Sequence, residues 1–478
     1  MPTPSPLPID GPYVRAQISR RGVRLNDLKT RQGGEYVLYW MQSTHRLDEN
    51  WALRFATLQA DRLGLPLVIH QGLDPTYPHA NDRIHSFILE NARELAGRAE
   101  RTGLSYRFVL RHERAENPRV VDALAARAAL VVTDLYPTAG IAERNARVAA
   151  RITCRMVAVE SHGIVPAGLF EKEEYAARTI RPRLLPWLDH ALQVVEDRPP
   201  RVATSRGLMD SLPGTPLDMT ALDVAREVAR CDIDHTVPAV ALRSGQDAAR
   251  ARLDAFCRDT LPHYSSRRVD PNDDLGSSRL SPYLHFGQIS AATVARRALE
   301  AGPRDQADAF LNELVVWREL AMNFCLRNPR FASLDALPPW VHKTMAEHAA
   351  DPREATYSLA QFEAAATHEP LWNAAQEELR QTGVMHNVVR MLWGKHLLAW
   401  SPTYAQGLAW AIHLNNKYGI DGRDPCSYAG VQWCFGKFDR PFYTRPVFGV
   451  IRPMSLARAR DKWDAQRYIA RWAPASVS

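Results

Sequence analysis

An α/β domain with a parallel, doubly wound sheet, followed by an all-α domain, is the architecture this sequence predicts. Three observations lead there. At 478 residues the chain exceeds one typical domain and suggests two or three. Within 35–166, short apolar runs alternate with amphipathic stretches, the pattern of buried strands joined by covering helices. From 247 onward the apolar spacing is helical almost throughout.

The segment 1–34 reads as an extension with a Pro-rich start (Pro2, Pro4, Pro6, Pro8). In 35–166, strands are predicted at Tyr36–Trp40, Pro66–Ile69, Tyr106–Leu110, Leu130–Thr133 and Met156–Val159, with helices at 48–63, 82–102 and 117–128. No GxGxxG follows the first strand, so the dinucleotide fingerprint is absent. Across 167–246 the periodicity weakens while Pro and Arg rise, as in Arg181-Pro182-Arg183 and Arg198-Pro199-Pro200-Arg201, and this reads as an interdomain connection. The domain 247–478 should hold helices near 247–260, 281–301, 306–327, 359–366, 370–382, 384–400 and 403–416, with a frayed tail at 474–478.

Hydrophobic content of 46% with 24% charged residues marks a soluble globular chain able to bury sizeable cores. No apolar run approaches the roughly 18 residues of a membrane span, and the Pro-rich start lacks the apolar stretch of a signal peptide. A cytoplasmic monomer with no membrane partner is expected. Six scattered cysteines show no CxxC pair and no zinc-type spacing, so reduced thiols and no metal site are expected. A net charge of +7 suits a polyanionic partner. Arg440, Arg445, Arg452, Arg458 and Arg460 fall in a stretch without a single acid, which reads either as a nucleic-acid-facing surface or as a solvated basic one.

Several constellations could carry chemistry. In Gly276-Ser277-Ser278-Arg279-Leu280-Ser281-Pro282, Ser281 reads as a helix N-cap with Pro282 at the first helical position. The hydroxyls, amides and cation before it suit a phosphate, although capping alone would explain Ser281 and Pro282. Glu313 and Trp317, four apart, present a carboxyl and an indole on one helix face, where they could bind and stack a flat heterocycle or form an ordinary half-buried face. On the helix 384–400, Trp393 and Trp400 are seven apart and lie nearly on one face. Arg390 precedes Trp393 by one turn, and an arginine in so apolar a helix needs a partner, for which Asp421 is the candidate. A tryptophan stripe on its own reads first as core.

Taken together these motifs resemble the photolyase and cryptochrome family, and most closely the class II cyclobutane pyrimidine dimer photolyases. The resemblance runs through Val37-Leu38-Tyr39-Trp40-Met41, Asn50-Trp51-Ala52-Leu53, His162-Gly163-Ile164-Val165-Pro166, Tyr283-Leu284-His285-Phe286-Gly287, Arg318-Glu319-Leu320-Ala321 and Arg445-Pro446-Val447-Phe448-Gly449, and so covers nearly the whole chain.

What the resemblance implies is an N-terminal antenna-type domain and a helical domain holding FAD, active in its reduced form. Tyr264, Ser277, Ser278, Leu280 and Ser281 would hold its phosphates and ribityl chain, Asn415 would face the flavin N5, and Arg390 and Asp421 would pair beside the ring. A dimer flipped out of DNA would meet Glu313, Trp317, Trp433 and Met391, with Arg268, Arg440 and Arg445 on the phosphates or in the vacated duplex space. Trp393, Trp372 and Trp400 would carry electrons to oxidised flavin. The implied reaction is light-driven splitting of the dimer by electron transfer; the alternative is a cryptochrome-like photoreceptor without repair. A deazaflavin is the family-level expectation for an antenna chromophore. The chain departs from the family pattern at Met322, Asn387, Cys426-Ser427 and in a shortened loop after Trp433, where Phe442 stands at a position often held by Trp.

Overall fold

In the computed structural model the described residues are 6–473, so the tail expected to fray at 474–478 lies outside them. Six strands form one sheet: β1 (Gly22–Arg24), β2 (Tyr36–Met41), β3 (Leu67–Leu73), β4 (Ser105–Leu110), β5 (Ala128–Asp134) and β6 (Arg155–Val159), in the order β1-β6-β5-β2-β3-β4. Strands β2 to β6 are mutually parallel, with Tyr39 of the central strand beside Ile69 on one side and Val132 on the other. All six residues of β2 are buried, as a strand covered on both faces requires. The order reverses between β2 and β5, the switch point at which open α/β sheets form a crevice.

The sheet is mostly parallel, as expected; β1 alone adds antiparallel, to β6, through Gly22 beside Val159. That strand belongs to the segment read as an extension; three residues are too few to leave a periodic signal.

The helical part begins with Gln246–Ala255 and continues to Ala465–Trp472. The predicted helix 370–382 is found at Pro370–Thr382, started by Pro370 and stopped by Gly383 in the left-handed conformation at φ 72°. Instead of one helix over 281–301 there are two, Ser281–His285 and Ala291–Ala301. Gly287 breaks them at φ +61°, and a Cβ there would come within 2.7 Å of the Ser43 carbonyl oxygen, so the break is where the sheet domain presses on the helices. The predicted helix 306–327 is likewise interrupted, by a π-helical segment at Asn312–Trp317.

One core runs without a seam from Ile84, Phe87 and Ile88 on the sheet side to Phe256, Tyr283 and Leu314 among the helices. Arg83 reinforces it. Only 2% exposed, this side chain donates to the carbonyls of Arg380 (2.6 Å) and Leu379 (3.3 Å), near the end of Pro370–Thr382. It also donates to Tyr418 (2.6 Å), at the end of Tyr404–Tyr418. A single guanidinium thus serves the orphan carbonyls of two helix ends, where a cation is electrostatically favoured.

Candidate active site

A cavity of about 320 Å³ opens among the helices. One wall is the turn-rich stretch before Ser281, where Arg279 takes φ +53°. Arg252 braces this stretch by donating to the carbonyls of Ser278 (2.8 Å) and Ser277 (3.1 Å). Ser277, Ser278 and Ser281 all line the cavity, as do Tyr264 and Leu280. Ser281 is not the N-cap that its sequence suggested. The helix starts at Ser281 itself and Leu280, fully buried, takes the cap position without a side-chain bond.

Arg390 and Asp421, which also line the cavity, meet as a forked pair, with N–O distances of 3.1, 3.2 and 3.3 Å. The Nε of Arg390 and the Nε of Arg318, both cavity-lining residues, are buried donors with no acceptor among the described residues. Since buried donors are almost always satisfied, these two suit a ligand that brings acceptor atoms. A cavity of this size, lined by serine hydroxyls and by oriented guanidinium groups, fits a phosphorylated, heterocyclic cofactor.

Glu313 enters from the π-helical segment, a distortion that recurs at functional sites. Its Oε1 lies 3.0 Å from Arg268 Nη1 and accepts from Asn312 Nδ2 at 3.3 Å. Arg268 therefore lines the cavity beside Glu313, with its guanidinium 5.3 Å from the Tyr264 ring, and not the outer basic surface with Arg440 and Arg445. Met391 also lines the cavity. Trp317 and Trp433 are half-buried and do not; Trp433 is flanked by Lys395 Nζ at 4.8 Å and the Arg452 guanidinium at 5.8 Å from its ring. Asn415, 1% exposed, stands behind the wall and donates its amide to the Ser427 hydroxyl, and it is Ser427 that reaches the cavity.

A polar network in the cavity wall escaped the sequence reading. Asp424 accepts from Tyr136 at 2.8 Å and from the Cys426 amide at 2.7 Å, with His285 Nδ1 at 3.3 Å and Arg318 Nη1 at 3.7 Å. Burial works against the Asp424 charge, but Arg318 and His285 outweigh it and hold the carboxyl well below its usual range. Burial pushes His386, another lining residue, down to about 4, so it faces the cavity neutral. The Asp424-Pro425 pair was a readable helix start; its partners, distant in sequence, were not.

The three tryptophans form a continuous chain. Trp393 and Trp372 stack with centroids 6.2 Å apart and planes 9° apart, and Trp400 lies 6.5 Å from Trp372 at 63°. Trp372 comes from the neighbouring helix and touches both of the others. All three are at most 1% exposed.

The basic stretch proves divided. Arg452 pairs with Asp439 at 3.2 Å and lies over the Phe442 ring at 4.3 Å, while Arg460 pairs with Glu369. Arg440, Arg445, Arg458 and, despite its pairing, Arg460 are exposed, and Tyr443 between the first two is 91% exposed. The sequence reading missed Tyr443, since an apolar ring on a loop gives no periodic signal.

Two family models match: DNA photolyase over residues 37–203 and the FAD binding domain of DNA photolyase over 310–477. The deoxyribodipyrimidine photo-lyase of Methanothermobacter thermautotrophicus is 38% identical over 442 residues, covering 92% of this chain and 94% of that one. The deoxyribodipyrimidine photo-lyase of Oryza sativa is 36% identical, covering 91% of this chain and 87% of that one. Among solved structures, a class III photolyase from Agrobacterium tumefaciens superposes with a TM-score of 0.65 at 19% identity, over 94% of this chain and 88% of that one. A cryptochrome from Synechocystis gives 0.67 at 15% identity, over 92% and 89%. The chain belongs to the DNA photolyase family.

Proposed function

We propose that the protein is a class II cyclobutane pyrimidine dimer photolyase, which repairs ultraviolet-damaged DNA with FAD and light. The observation that carries this reading is one cavity that joins the Arg390–Asp421 pair to the Glu313–Arg268 pair, its Arg390 and Met391 supplied by the helix that also carries Trp393 and Trp400. Relatives named for the same reaction span nearly the whole chain.

Ser277, Ser278 and Ser281, with Tyr264 and Leu280, would hold the FAD phosphates and ribityl chain, and Arg390, fixed by Asp421, would meet the ring. When bound, reduced FAD supplies the photochemistry: one electron lent to the dimer and recovered after the ring splits. Glu313 would receive the flipped-out lesion as a hydrogen-bond acceptor, with Arg268 fixing its orientation at 3.0 Å. Asn415 acts through Ser427, whose hydroxyl it meets. No nucleophile or general base is required of the protein, whose work is positioning and electrostatics.

DNA would lie along the exposed loop 440–446, where Arg440 and Arg445 face the phosphates and Tyr443 stands ready to fill the space the lesion leaves. A second cavity, of about 350 Å³, lies at the carboxyl ends of β2, β3 and β4, lined by His70, Asp74, Arg111 and Arg144. It is the place for an antenna chromophore such as a deazaflavin.

The test is to reduce the purified protein, mix it with a dimer-containing oligonucleotide and expose it to blue light. Recovery of thymine in light alone supports the reading. Flavin binding and photoreduction without repair would leave a photoreceptor instead.

A further inference from the structure

The two inner indoles of the tryptophan chain are tied to oxygens that cannot take a proton. Trp393 Nε1 donates to Gln376 Oε1 at 2.9 Å, and Trp372 Nε1 donates to the backbone carbonyl of Trp393 at 3.0 Å. Gln376 is fully buried and stands four residues beyond Trp372 on Pro370–Thr382. One helix face therefore supplies both an indole and the acceptor for the indole stacked on it. The outer indole is surrounded differently: the imidazoles of His396 and His368 lie 4.5 and 4.9 Å from the Trp400 ring, and His368 is exposed.

This contrast matters for an electron path because an indole that has lost an electron becomes a strong N–H acid. If it also loses the proton, the neutral radical that remains no longer draws an electron from its neighbour, and the charge stops there. An amide oxygen accepts the hydrogen bond but is too weak a base to remove the proton.

We infer that Gln376 is a positioning residue that keeps the indole proton on Trp393, so that positive charge entering at Trp393 moves on through Trp372 and is released only at Trp400. The inference rests on the reading of these three residues as an electron path. In balance, one electron leaves Trp393 for the photoexcited oxidised flavin, one passes from Trp372 to Trp393, and one from Trp400 to Trp372. The N–H proton of Trp400 then leaves to an imidazole or to solvent. The flavin has gained one electron and Trp400 has become a neutral radical.

The experiment is time-resolved absorption of the FAD-loaded protein, which separates cationic from neutral tryptophanyl radicals, run across the pH range. Gln376→Glu keeps the size and offers a base; its buried carboxyl ionises only as pH rises. The expected result is early neutral radical and a photoreduction yield down about tenfold at high pH, recovering at low pH, whereas Gln376→Met, which offers no base, stays within about twofold of the parent. Equal losses in both variants with a flat pH profile, or no change in Gln376→Glu, would overturn the inference. If Gln376→Glu fails to hold FAD, Trp400→Phe decides: with charge confined to the inner pair, only cationic radical should form and then recombine, and neutral radical there refutes the role of Gln376. Trp393→Phe that photoreduces like the parent would sink the electron path itself.

Discussion

Replacing Glu319 with glutamine should change how stability depends on pH. Glu319 is 5% exposed, and its Oε1 accepts the Ile164 N–H at 2.6 Å. A second carboxylate stands close by: a Cβ on Gly163 would lie 2.9 Å from Glu319 Oε2 and 3.3 Å from Glu160 Oε1. Arg21 pairs with Glu160 at 2.6 Å, and Arg318 immediately precedes Glu319. Burial, followed by the Glu160 charge, raises Glu319 from 4.5 to about 7; the Ile164 amide, Arg21 and Arg318 only partly offset this. An acid with a raised folded pKa binds more protons in the native than in the unfolded state, so stability is full below the unfolded pKa and falls as pH rises through the folded one. The rise to about 7 from 4.5 is worth about 3 kcal/mol at roughly 1.4 kcal/mol per unit. Glu319→Gln keeps an acceptor for Ile164 and removes the titration. In guanidinium denaturation of the FAD-loaded protein, parent and variant should match near pH 5, and the variant should gain by up to about 3 kcal/mol near pH 8. Parallel pH profiles for the two proteins would refute the argument.

Other perturbations separate the proposed roles. Trp393→Phe should suppress photoreduction of oxidised FAD while the flavin absorbance of the purified protein persists. Asp421→Asn leaves the part-buried Arg390 without its counter-charge and should cost about 1–3 kcal/mol of stability, seen as a lowered melting point and loss of flavin on desalting. Glu313→Ala should reduce affinity for dimer-containing DNA by about 1.5–3 kcal/mol in a titration while FAD content stays unchanged. Tyr443→Ser should weaken binding of a dimer in duplex DNA by about 1–3 kcal/mol and leave binding of the same dimer in single-stranded DNA alone, since a single strand has no gap to fill.

The sheet was legible because each buried parallel strand is a short apolar run, and helix Pro370–Thr382 because proline and glycine mark its ends. The cavity was legible where its residues sit close together in sequence, as with Ser277, Ser278 and Ser281. Arg390 and Asp421 are 31 residues apart, yet their pairing could be anticipated from the cost of an unpaired buried arginine. What stayed hidden depends on contacts between distant segments. Asp424 acquires Tyr136 from 288 residues away, and Arg460, though exposed, is paired with Glu369, 91 residues earlier. The π-helical segment at Asn312–Trp317 was invisible for another reason: one extra residue in a turn barely disturbs a hydrophobic period read over several turns.

The buried Arg83 bears on how this fold can be taken apart and recombined. Its two Nη groups end on carbonyls of residues 379, 380 and 418, so the flavin-holding half completes two of its helix ends with a side chain from the other half. Cut free, that half would expose those carbonyls together with the apolar face that meets Phe87 and Ile88. The two matched regions are thus better regarded as inherited modules than as independent folding units. A chimaera that exchanges the sheet domain between relatives would have to carry over an arginine at this position, with the helix that aims it, before any question of light harvesting could be asked.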